Sequence, residues 1–72
     1  MLYLERIRNL REDKDLTQTD IAKILNCSQR VYSDYECGKV AISVENLMVL
    51  ANYYDVSLDY LTGRTNNKEM NK

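Results

Sequence analysis

The sequence predicts an all-α fold of five short helices, on three observations. A helix-start pattern recurs four times: an apolar residue, a hydroxyl residue, three positions, then an apolar residue. It stands at Leu16-Thr17…Ile21, Cys27-Ser28…Tyr32, Ile42-Ser43…Leu47 and Val56-Ser57…Leu61. In each, the hydroxyl accepts a hydrogen bond from an orphaned first-turn amide while the apolar pair packs across the cap. The second observation is spacing: the four hydroxyls follow one another at 11, 15 and 14 residues, as caps of regular short helices do. The third is composition, with no proline, two glycines and 44% hydrophobic residues, which describes a globular helical chain rather than a disordered one.

The elements follow in order. The first helix spans about 2–13, with Leu4, Ile7, Leu10 and Tyr3 toward the interior, and the polar turn Asp13-Lys14-Asp15 ends it. The second, 17–25, opens on Thr17 with Asp20 three positions on, which makes a capping box. The third covers 28–36 and the fourth 43–54. The fifth, 57–62, closes on Gly63. A tail from Arg64, RTNNKEMNK, has no apolar periodicity and is expected to fray. The organisation is one domain over 1–63 and a flexible tail over 64–72.

Catalysis has little to work with. Histidine is absent, no cysteine or carboxylate cluster has metal-ligand spacing, and two glycines are too few for a phosphate-cradling loop. No enzymatic activity, metal or cofactor is expected. Cys27 and Cys37 stand at opposite ends of one helix, too far apart to bridge at about 1.5 Å rise per residue, so a reduced, cytoplasmic setting fits. No apolar run approaches transmembrane length, and charge from Glu5 onward argues against a leader segment.

Helices two and three are joined by only Asn26, Cys27 and Ser28, so they turn tightly and cross steeply, which is helix-turn-helix geometry over 17–36. Asn26 stands where a left-handed residue is needed, and Cys27 tucks inward as a small hydrophobe. On a helical wheel Ser28, Val31, Tyr32, Tyr35 and Glu36 fall on an inward arc. Gln29, Arg30, Ser33, Asp34 and Cys37 fall on an outward one. Taken alone, such an outward arc is an ordinary solvated face.

From residue 2 to residue 65 the chain resembles the helix-turn-helix family of phage repressors and Cro proteins, the Xre-type regulators. The residues that carry the resemblance are Leu10-Arg11-Glu12, then Leu16-Thr17-Gln18…Ile21-Ala22…Leu25, then Ser28…Tyr32-Ser33…Tyr35-Glu36…Gly38-Lys39. Leu47…Leu50-Ala51…Val56-Ser57-Leu58-Asp59-Tyr60-Leu61 completes it. Asn26 replaces the usual turn glycine, Cys27 the usual Val or Ile, and the Val40-Ala41-Ile42 link lacks proline.

The resemblance implies a compact repressor-like domain whose third helix enters the major groove of double-stranded DNA, with Gln29, Arg30, Ser33 and Asp34 against base edges. The chemistry suits these positions: Arg30 can donate twice to guanine, Gln29 can pair with adenine, and Ser33 serves either way. Asp34 could accept from cytosine, hold Arg30 as its i+4 neighbour, or repel phosphate at wrong sites. Gln18, Thr19 and Lys39 are implied phosphate contacts, and Arg11 with Glu36 a structural ion pair. Tyr32 and Tyr35 read as core or half-buried residues.

Net charge is −1, and residues 17–39 balance Lys23, Arg30 and Lys39 against Asp20, Asp34 and Glu36. Non-specific DNA affinity should be weak and salt-sensitive, with specificity resting on base contacts and on two subunits. The expectation is therefore a sequence-specific repressor, homodimeric on an inverted repeat, its dimer contact drawn from Val56, Leu58, Tyr60, Leu61 and Met70. The alternative is an antitoxin or antirepressor type of protein-binding module on the same scaffold.

Overall fold

Four hydroxyl side chains open four of the helices. In the computed structural model, which describes residues 2–68, each of Thr17, Ser28, Ser43 and Ser57 has extended backbone and accepts from the amide three residues on. Thr17 and Asp20 complete the reciprocal box, with hydrogen bonds of 3.1 and 2.9 Å. The helices are α1 (Leu2–Asp13), α2 (Gln18–Ile24), α3 (Gln29–Cys37), α4 (Val44–Tyr54) and α5 (Leu58–Leu61). The expected spans hold to within a residue or two, because a capping residue is only half inside its helix.

The helix ends share one solution. Asp15, Asn26, Gly38, Asp55 and Gly63, one after each helix, all adopt positive φ, between 56° and 88°. Asn26 was expected there for its tolerance of the left-handed region; Asp15 and Asp55 do the same work with a less common residue. At Gly38 the conformation and the space agree, since a Cβ would lie 3.1 Å from Leu4 of α1.

The core joins all five helices: Ile7 and Leu10 of α1, Ile21 and Ala22 of α2, Tyr32 of α3, Leu47, Leu50, Ala51 and Tyr54 of α4, and Leu61 of α5 are buried together with Leu25, Ile42 and Val56. α2 packs chiefly on α3, α3 on α1, and α5 on both α4 and α1. Cys27 is half-buried against this cluster and Cys37 is exposed; both are free thiols.

Three expectations change. Val31 and Ser28 do not face inward: both are exposed. The buried side of α3 narrows to Tyr32 and Glu36, and Val31 lies about 140° around the helix from Glu36 at 100° per residue. The expected dimer residues Val56 and Leu61 are core, and Leu58 and Tyr60 are packed against it; Met70 lies outside the described residues. Finally, residues 64–68, expected to fray, are held against α1 and α5. The Arg6 guanidinium, almost wholly buried, donates to the carbonyls of Tyr60 and Thr65 and to Asn66 Oδ1. It also stacks over the Tyr60 ring at 4.1 Å, and the Ser57 amide donates to the Lys68 carbonyl at 2.8 Å.

Candidate nucleic-acid interface

The turn between α2 and α3 fixes the interface. Asn26 at φ 58° reverses the chain, and the Cys27 amide bonds back to the Ala22 carbonyl at 2.9 Å. Ser28 then starts α3 at once, so the N-terminal turn of α3 follows the end of α2 across one short connection whose Leu25, Asn26 and Cys27 amides are all bonded back to α2.

Glu36 lies at the centre of what holds the pair. Its carboxylate, with no exposed side-chain surface, accepts from Arg11 Nε at 2.7 Å and Nη2 at 3.2 Å. Arg11 also donates to the Leu16 carbonyl just before α2, so one guanidinium ties α1, the start of α2 and the end of α3. Arg8 approaches the same carboxylate at 3.6 Å. Burial on its own would raise the Glu36 pKa; the hydrogen bonds from Arg11, aided by Tyr32 and Gln18, outweigh it and hold the group below its ordinary value. The Tyr32 hydroxyl faces Glu36 without closing a hydrogen bond of ordinary geometry, and burial pushes its own pKa up. Arg11 and Glu36 thus form the ion pair that the resemblance implied.

The pair reaches the outer surface through glutamines. Gln18 Nε2 donates to Glu36 Oε1 at 3.3 Å, and Gln29 Nε2 donates to Gln18 Oε1 at 2.7 Å. An amide nitrogen carries two donors and its oxygen two lone pairs. Gln29 therefore keeps one N–H and its carbonyl oxygen, the two groups an adenine edge requires. This chain, Arg11 to Glu36 to Gln18 to Gln29, was not foreseen. Nothing in the spacing of residues 18 and 29 signals a contact across the turn.

The other candidates are placed as follows. Arg30 and Lys39 are exposed, as is Thr19 in the first turn of α2. Ser33 and Asp34 are half-buried, and the Asp34 carbonyl accepts from the Lys39 amide at 3.0 Å, folding the chain after α3 back along the helix. Arg30 and Asp34 stand one turn apart on α3, and neither makes a side-chain bond in the structure that would tie it down.

A family model described as helix-turn-helix matches residues 7–61, which contain the whole core and this interface. The chain belongs to the helix-turn-helix family. It is 32% identical over 68 residues to the uncharacterized HTH-type transcriptional regulator YobD of Bacillus subtilis (strain 168), covering 94% of this chain and 61% of that one. It is 35% identical over 64 residues to the cryptic phage CTXphi transcriptional repressor RstR of Vibrio cholerae, covering 89% and 57%. Over 59 residues it is 32% identical to the antitoxin PezA of Streptococcus pneumoniae, covering 82% and 37%. The helix-turn-helix chain thus spans about 60% of the length of the first two of these curated relatives. No solved structure matches it. No helix among the described residues is long and apolar enough to cross a membrane.

Proposed function

We propose that this helix-turn-helix protein is a sequence-specific, non-enzymatic DNA-binding transcriptional regulator of the cytoplasm, a repressor that acts as a homodimer on an inverted repeat. The observation that carries the reading is the Glu36–Gln18–Gln29 chain, which pre-positions a base-reading amide at the start of the exposed α3. Ordering a side chain before binding removes part of the entropic cost of recognition. Arg30, Ser33 and Asp34 complete the base-reading set along α3, and Gln18, Thr19 and Lys39 supply phosphate contacts. The near balance of charge over residues 17–39 makes the base contacts, rather than bulk attraction, decide where the protein sits.

The similarity to PezA and the same near-neutral surface favour a second reading, an antitoxin-type module that binds a protein. Selection of sites from a random duplex pool, followed by anisotropy across a salt series, separates the two. Enrichment of a palindrome, with preference at one position per half-site relaxed by Arg30→Ala at unchanged Tm, is expected. No enrichment at low salt by a folded protein would move the assignment to the protein-binding module.

A further inference from the structure

The burial of Val56 and Leu61 takes two residues out of the expected dimer contact, and the surface offers a second place for it. Among the described residues, large exposed hydrophobics concentrate on α4, where Val44 is 64% exposed, Met48 50%, Val49 39% and Tyr53 43%. At 100° per residue these four, with exposed Glu45 and Asn52, fill the half of α4 opposite Leu47, Leu50, Ala51 and Tyr54. We propose that this outer half of α4 is the surface on which a second copy of the chain docks, the two helices crossing antiparallel about a two-fold axis. The proposal rests on the homodimer reading and gives it a location.

Three features select a second copy. The first is charge. Between Lys39 and Arg64 the sequence contains no lysine or arginine, so α4 itself carries no cation to offer a phosphate backbone or an anionic membrane. The partner is an apolar protein surface.

The second is self-complementarity. In a two-fold contact residue i meets j and j meets i. Centred between Met48 and Val49, an antiparallel crossing sets Met48 against Val49, Val44 against Tyr53, and Glu45 against Asn52. The one carboxylate on the surface thereby meets an amide donor of the second copy, and no like charges face each other. Tyr53 is already held for this, its ring packed edge-on against Tyr54 with centroids 5.3 Å apart.

The third is size. The molecule measures 32 Å along its longest axis, and half-sites one helical turn apart lie about 34 Å apart. Two copies so placed meet along an edge, and α4 follows α3 after only residues 38–43. Limited to six side chains of one helix, against the roughly 20–30 residues a side of a standard interface, self-association is weak in free solution and tightens on DNA.

The test is a dilution series followed by amide NMR on the full chain, with two variants of opposite effect and a third that cancels one of them. On dilution, amide shifts should move within residues 44–53 and stay still on α1. Met48→Asp, at an exposed position that leaves the fold intact, should weaken self-association about tenfold or more. Asn52→Lys should tighten it in a salt-dependent way by facing Glu45 of the second copy, and Glu45→Gln should cancel that gain. Two outcomes overturn the placement: dilution shifts that map elsewhere, and two-copy binding to a selected DNA site that ignores both variants while the homodimer reading stands. A chain that self-associates through residues 44–53 but selects no DNA supports the placement and overturns the DNA reading.

Discussion

Glu36 concentrates more consequence than any other single residue. Its carboxylate is buried and answered by Arg11 and Gln18, so removing one partner strands a charge rather than deleting a contact. Arg11→Ala is expected to cost about 3–5 kcal/mol, measured by denaturant unfolding, and any loss of DNA binding would follow from that. Because the folded pKa of Glu36 is depressed, its contribution is present above the ordinary value of 4.5 and is lost as pH falls through the lower folded value. Asp20 acts in the same direction, held low by the Thr17 backbone and side-chain hydrogen bonds. Unfolding titrations should therefore show stability level near neutrality and declining below about pH 4.5, and the Glu36→Gln protein should show a smaller decline. Gln18 belongs to this scale too. If the proposed DNA reading holds, Gln18→Ala should weaken binding to all sequences and also loosen preference at the base assigned to Gln29, which it holds by a hydrogen bond; intact preference there would contradict the bond's role. The ion pair was legible because its residues sit in a recognisable pattern. The glutamine bond was not, since side-chain reach across a turn leaves no periodic trace.

At the scale of the element, helix starts were readable and helix ends less so. A cap needs a hydroxyl at one place and an apolar residue on either side, so Thr17, Ser28, Ser43 and Ser57 announced themselves in the sequence. An end needs one residue willing to take positive φ, and an aspartate such as Asp15 or Asp55 looks like any surface charge. Gly38→Ala tests the cost: a left-handed alanine loses about 1–2 kcal/mol, and here its Cβ also crowds Leu4, so a lowered Tm is expected. Asp55→Gly, where φ is already 57°, should be neutral or stabilising in the same melt. Val31 is the misread face of α3: a wheel gives the angle of a side chain but not the width of what covers it. The bare stripe on α4 is hidden in the sequence for the opposite reason, since Leu47, Met48, Val49, Leu50 and Ala51 run together as apolar residues until the packing shows which half is used.

For the whole molecule, the feature that sequence reading undervalued is Arg6. It stands three residues after Tyr3 and four before Leu10, on the apolar side of α1, where a lone basic residue is easily dismissed. It instead fastens the two ends of the described chain together. Arg6→Met keeps the volume and removes the donors. It should lower stability by about 1.5–3 kcal/mol, the range for hydrogen bonds to a charged group, and speed hydrogen exchange at the Ser57 amide, whose acceptor Lys68 would be released; unchanged exchange there would contradict the role. The groups that Arg6 joins lie 54 to 60 residues apart in sequence. In the native chain order, the longest loop in the fold must close before this contact can form, at an entropic cost that grows with loop length. A circular permutant, with residue 68 linked back to residue 2 and new ends cut in the Asp13-Lys14-Asp15 turn, would turn that long-range closure into a neighbouring one and lower its entropic cost.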